Sequence, residues 1–188
     1  MVCVMSIRIA VVTETFHPFK GGSAKRYLEV FKRLVKKGYE VDIYTVRLKE
    51  SWSCYEEYQG LNIYRTNVVL NNFITDDGFR DVSQVLIYTT WVFKKIFKKK
   101  YDIIEANHCP IFPVYPSWII SKKLRIPLSV TFHEVWHKEW YRYVPYSIYA
   151  PIGMMLEKFM TIFPDVYISV SNYTTCLLYT SDAADDGE

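Results

Sequence analysis

The chain has 188 residues, half of them hydrophobic and 23% charged, which excludes a disordered or collagen-like polymer and fits one sizeable domain. Formal charge is +3, but the last 13 residues hold four acids and no base, so residues 1–175 carry 23 bases against 16 acids. A basic body favours anionic partners such as nucleotide phosphates or acidic lipid. The cysteines Cys3, Cys54, Cys109 and Cys176 are scattered, with neither C-x-x-C nor metal spacing, and read as reduced thiols of a cytosolic protein. The start has no basic n-region, and no 18-residue apolar run occurs, so neither a secretory signal nor a spanning helix is expected.

Residues 7–13 are β-branched and almost continuously apolar, the pattern of a parallel strand buried on both faces. A loop over 14–22 follows. Ser23 is placed to cap a helix whose apolar positions Ala24, Tyr27, Leu28, Phe31, Leu34 and Val35 make one stripe. Lys36 and Lys37 suit its last turn, and Gly38 its left-handed stop. Residues 40–45 give a second strand and close a βαβ unit. An alternating segment over 60–66 predicts a third strand, and 69–79 reads as loop. Spacing then predicts helices over 82–100, 111–124 and 151–163, with strands over 102–106, 126–132 and 165–170. Residues 135–150 form an aromatic connection. Helices alternating with apolar strands predict an α/β fold, a doubly wound, mostly parallel, Rossmann-like sheet of about six strands.

In such sheets ligands bind beyond the carboxyl ends of the strands. The loop after Thr13 ends in Gly21-Gly22 at a helix start, where small residues let a phosphate reach backbone N–H groups. Its alternative is a loop that needs glycine for its turn. Neither G-x-G-x-x-G nor G-x-x-x-x-G-K-[ST] occurs. Asn107 and His108 follow the strand at 102–106, where they line the cleft or cap the next helix. His133 ends the strand at 126–132, where it bonds a sugar or phosphate oxygen or serves a neighbouring loop carbonyl. His133-Glu134-Val-Trp-His137 also matches H-E-x-x-H, which requires both imidazoles on one helical face. A zinc hydrolase using His133, Glu134 and His137, with Glu157 as a distant third ligand, is one alternative. A non-catalytic nucleotide-binding module is another. The run Lys94-Lys-Ile-Phe-Lys-Lys-Lys100 is a solvated face or a foothold on anionic lipid. Trp136, Trp140, Tyr141, Tyr143, Tyr146 and Tyr149 suit core, sugar stacking or a membrane interface.

Taken together, these segments resemble the N-terminal half of a family 4 glycosyltransferase of the GT-B fold, from Ile7 to Thr175. Pro18-Phe-Lys-Gly-Gly22 is similar to the family's P-x-x-G-G loop, and Gly38-Tyr-Glu-Val41 to its G-H-E-V, with Tyr39 in place of histidine. Ile126-Pro-Leu-Ser-Val-Thr-Phe-His-Glu134 resembles G-I-P-x-V-x-T-x-H-[DE], and Asp165-Val-Tyr-Ile-Ser-Val-Ser171 resembles D-x-I-I-A-V-S. Ile104-Glu-Ala-Asn107 departs from the H-x-H of many members.

The resemblance implies retaining transfer of a sugar from a nucleotide-sugar, a co-substrate rather than a cofactor, to a lipid or glycan acceptor held on this domain. It places Gly21 and Gly22 beside the donor diphosphate and His133, as the catalytic residue, near the transferred sugar. Glu134, Asn107, His108 and Ser171 complete the expected substrate site. No metal and no nucleic acid is expected. The location implied is cytoplasmic and peripheral on the inner face of the cell membrane. The segment Cys176-Leu-Leu-Tyr-Thr-Ser-Asp-Ala-Ala-Asp185 resembles the translation of a transposon-end sequencing adapter. Residues 176–188 are therefore expected to be a non-native tail, and 1–175 an acceptor-side domain. The resemblance implies that this domain is without the family's second domain and its E-x7-E motif, and is expected to be inactive alone.

Overall fold

The computed structural model describes residues 6–71, 81–144 and 146–183. Its strands are β1 (Arg8–Val12), β2 (Glu40–Arg47), β3 (Tyr55–Tyr58), β4 (Leu61–Val69), β5 (Ile103–Asn107), β6 (Leu128–Phe132) and β7 (Val166–Ser169). They form one sheet of order β3-β4-β2-β1-β5-β6-β7. Every pairing is parallel except β3 with β4. The helices are α1 (Gly22–Lys36), α2 (Val82–Ile96), α3 (Val114–Leu124), the short α4 (Trp140–Tyr143), α5 (Ala150–Met160) and α6 (Asn172–Ala183). The chain winds outward from β1 through β2 to β4, then returns through α2 to β5 and winds the other way. The winding reverses between β1 and β5, where an open α/β sheet leaves its ligand crevice.

The doubly wound expectation holds because the central strands β1, β2, β5 and β6 are buried on both faces. Ile9 and Val11 of β1 pack with Tyr27 and Phe31 of α1. Ala10 and Val12, pointing the other way, pack with Val92 and Ile96 of α2, Ile120 of α3 and Met160 of α5. A strand covered on both sides has no polar face to alternate with, so its sequence reads as a continuous apolar run.

Several boundaries differ from expectation. The sheet has seven strands among the described residues, because Tyr55–Tyr58 pairs back on β4 as a hairpin. Its turn, Gln59-Gly60, takes positive φ at both residues (52° and 79°), the twist a two-residue hairpin needs. Glutamine is not a usual residue there, and the half-exposed β3 has no apolar alternation to announce it. Ser23 is not the cap of α1: Gly21 stands at the N-cap and Ser23 lies inside the first turn. Gly38 does adopt the left-handed stop, at φ 91°. The helix expected over 82–100 ends at Ile96, and the one expected from 111 begins at Val114, after Pro110 and Pro113. Of the loop expected over 69–79, residues 72–79 lie outside the described residues, as do 184–188 of the segment expected to be non-native. The aromatic connection contains α4 and two 3-10 turns, His137–Glu139 and Ser147–Tyr149.

The lysine run is not uniformly a solvated face. Lys99 donates to Asp42 Oδ2 (2.8 Å) and to the Tyr64 hydroxyl (2.7 Å). Asp42, 3% exposed, also accepts from the Tyr101 hydroxyl and Asn62 Nδ2. Burial favours its neutral form, but these bonds outweigh that and hold its pKa below the usual carboxylate range.

Candidate functional site

Three strand ends and one helix start meet at the reversal point. Thr13 follows β1, Asn107 ends β5, His133 follows β6, and Ser23 sits in the first turn of α1. Asn107 Nδ2 donates to Ser23 Oγ (3.0 Å) and to Thr13 Oγ1 (3.3 Å). Ser23 Oγ lies 3.3 Å from His133 Nε2. The backbone N–H of His133 donates to His108 Nδ1 (3.3 Å), and its carbonyl accepts from Thr174 Oγ1 (3.3 Å). Ser171 Oγ in turn accepts from the Thr174 backbone N–H (3.1 Å). His133 is thus held through both its ring and its backbone.

The start of α1 is built for an anion. No side chain caps its first-turn N–H groups, and no acidic residue stands in that turn. A Cβ at Gly22 would meet nothing within 4 Å, so the approach to those amides is open. At Gly21 a Cβ would lie 2.7 Å from the Phe19 ring, so glycine lets that aromatic fold across the loop. Uncapped N–H groups with the positive end of the helix dipole favour phosphate or carboxylate.

The imidazoles here are neutral. Burial and the neighbouring His133 push His108 down to about 3. Burial, with the Arg26 guanidinium, also lowers His133. Beneath them Glu105 Oε1 accepts from the Tyr27 hydroxyl (3.2 Å) and from Thr131 Oγ1 (2.5 Å). Its burial raises its pKa.

The structure therefore brings His133, Gly21 and Gly22 to one rim, with Asn107, 6% exposed, bonded behind them to Ser23 and Thr13. It does not put His108 on the cleft surface: the ring is 2% exposed and serves the His133 backbone instead. Nor do Asn107 and His108 cap α3, whose N-cap Pro113 makes no side-chain bond. Asn107 Oδ1 accepts from the Cys109 backbone N–H (3.2 Å). Glu134 is exposed one residue beyond His133, and Ser171 reaches the site only through Thr174. Ser23, Thr13 and Thr174 were not expected. The available signal is Ser23 at a helix start, which the sequence reads as a cap.

The zinc alternative does not fit. Residues 133–136 are not helical, and His137 opens a 3-10 turn at φ 42°. The two imidazoles diverge, His133 toward Ser23 and His137 toward the Leu177 carbonyl (3.4 Å). Glu157 accepts from the backbone N–H groups of Trp136 and His137, both at 2.9 Å. Among the described residues no three His, Cys, Asp or Glu side chains group to hold a metal ion.

A cavity of 720 Å³ opens beside the glycine loop, lined by Phe19, Lys20, Lys49 and Trp52 among others. Its aromatic face and two lysines suit a sugar bearing negative charge. Arg65 supports that wall from within: its fully buried guanidinium donates to the carbonyls of His17 (2.8 Å) and Ser53 (3.0 Å) and pairs with Glu56 (2.6 Å).

A Rossmann-like sheet with an open helix N-terminus at its reversal point has the crevice in which open α/β folds hold their ligands. Residues 20–180 match Glycosyltransferase Family 4, and the chain belongs to that family. No curated protein matches it in sequence. In fold it is similar to a sucrose-phosphate synthase from Thermosynechococcus elongatus, at 17% identity and TM-score 0.70, over 93% of this chain and 45% of that one. It is also similar to the HepE protein of Anabaena, solved with UDP and glucose, at 14% identity and TM-score 0.52, over 93% and 41%. A proposed UDP-N-acetylglucosamine 2-epimerase from Listeria monocytogenes aligns at 11% identity and TM-score 0.61, over 94% and 43%. The chain spans less than half the length of each. The fold is that of one half of a GT-B enzyme.

Proposed function

We propose that this chain is the acceptor-side half of a retaining glycosyltransferase that moves a sugar from a nucleotide-sugar to a lipid or glycan acceptor. The observation that carries this is the uncapped start of α1, open at Gly22, beside the Ser23–His133 contact. In this reading the first-turn amides stabilise charge developing on the leaving diphosphate, and His133 contacts the transferred sugar. The acceptor enters by the cavity walled by Trp52, Lys20 and Lys49. The remaining nucleotide contacts come from a second domain, so the chain alone binds weakly and does not turn over. No metal or cofactor is invoked. The basic body and the scattered cysteines, which lack C-x-x-C or metal spacing, support a cytoplasmic site of action, at the inner face of a membrane.

The test is an amide spectrum of the chain titrated with a panel of nucleotide-sugars and with pyrophosphate. Shifts confined to Gly21, Gly22, Ser23 and Ala24, without product, are expected. Silence at those amides with every diphosphate would remove the donor site from this loop. Robust turnover by the chain alone would refute the need for a second domain.

A further inference from the structure

Ser23 touches the one imidazole that faces the proposed ligand, and the bonds around it leave few choices for its proton. Asn107 Oδ1 accepts from the Cys109 backbone N–H (3.2 Å), which fixes the orientation of that amide. Nδ2 of Asn107 must then donate, and its acceptors are Ser23 Oγ (3.0 Å) and Thr13 Oγ1 (3.3 Å). Thr13 spends its own proton on the Thr15 carbonyl (3.3 Å). Ser23 Oγ, already accepting from Asn107, has its hydroxyl proton left for His133 Nε2 at 3.3 Å. A nitrogen that accepts is unprotonated, so the neutral ring carries its proton on Nδ1.

We propose that Ser23, oriented by Asn107, is a positioning residue that fixes His133 as the Nδ1–H tautomer, so that His133 meets its ligand as a hydrogen-bond donor. The inference rests on His133 being the ligand-facing group of the proposed function, and it narrows what the ring can do there. Its partner on the ligand is an acceptor oxygen, of a sugar hydroxyl or a phosphate. The ring's unprotonated nitrogen, Nε2, then faces Ser23 rather than the ligand, so the ring does not act as a general base on that ligand.

His108 is the internal control. Its Nδ1 accepts from the His133 backbone N–H, so its proton sits on Nε2, the opposite form. One protein thus holds two neutral histidines in mirror tautomers.

The experiment is a long-range ¹H–¹⁵N spectrum of the labelled 188-residue chain at pH 8, without any sugar. In the unaltered protein the His133 Nε2 signal is expected in the unprotonated range and Nδ1 in the protonated range, with the pattern reversed for His108. Ser23→Ala should move His133 toward the Nε2–H form, and Ser23→Thr should keep the original pattern. Asn107→Asp replaces the donor by an acceptor, draws the Ser23 proton away and should invert the His133 pattern. Observing Nε2–H on His133 in the unaltered protein, or no change in Ser23→Ala, overturns the proposal. If Ser23→Ala loses the His108 signature through misfolding, the unaltered protein and Ser23→Thr still decide. No turnover is needed, so a failed tautomer leaves the glycosyl-transfer reading standing. Silence toward diphosphates leaves the tautomer measurable.

Discussion

The imidazole of His108 carries a cost that shows in acid. Its folded pKa is pushed down to about 3 by burial and by His133. In the unfolded chain the same group titrates near 6.5. Between these values the unfolded state holds a proton that the folded state refuses, so stability falls as pH drops through that window. His133, lowered for the same reason, adds a change of the same sign. In His108→Asn the amide oxygen can still accept from the His133 N–H, but nothing titrates. From pH 7 to pH 5 the urea-derived stability of the unaltered protein should fall by ~2 kcal/mol more than that of the variant. Equal falls would mean that acid opens the site by another route. Two of the central residues here were readable from sequence, because Asn107 and His133 close apolar runs and strand ends face the crevice. Ser23 was not. Its partners lie 84 and 110 positions away, and no local pattern reports a contact of that range.

Regular elements follow from local periodicity, and the exceptions have local causes. The buried strands and α1 were legible because both their faces or their whole stripe are apolar. The β3 hairpin was hidden by an exposed Tyr-Glu-Glu-Tyr strand and an unusual turn. The connection over 135–150 was hidden for a different reason: its shape comes from α5. Glu157, 4% exposed, binds the N–H groups of Trp136 and His137 and the Trp140 indole (3.2 Å). Gly153 lets the Trp140 ring lie flat, since a Cβ there would fall 2.4 Å from it. A carboxylate one helix later sets the path of the loop. Glu157→Ala strips the acceptor from these donors and should cost ~2–4 kcal/mol in urea denaturation, while Glu157→Gln, which keeps an acceptor, should cost less. A loss under ~1 kcal/mol for the alanine would mean that water replaces the carboxylate.

At the scale of the whole molecule, the outer face of α5 and its flanks stays apolar after the core is complete. Ile148, Ile152, Met155, Phe159 and Ile162 recur at intervals of four and three and are 75%, 50%, 52%, 48% and 64% exposed. The opposite side of α5, with Ala150, Gly153, Glu157 and Met160, is already buried. Tyr141, Tyr146 and Tyr149 stand exposed beside the stripe. Among the described residues no helix is long and apolar enough to cross a membrane. An apolar ridge with amphipathic aromatics on a basic body is the arrangement that seats in an anionic headgroup layer. The chain should therefore co-sediment with phosphatidylglycerol-containing vesicles and less with neutral ones. The pair Ile148→Ser and Ile152→Ser should weaken that binding by about tenfold or more, since each isoleucine forfeits on the order of 1 kcal/mol of burial. Added salt should weaken binding to the anionic vesicles only in part, because the apolar share of the contact is not screened. Sedimentation that ignores lipid while the chain pairs with itself, and that pairing lost in the double variant, would instead make the stripe a contact between copies and detach the membrane from this account.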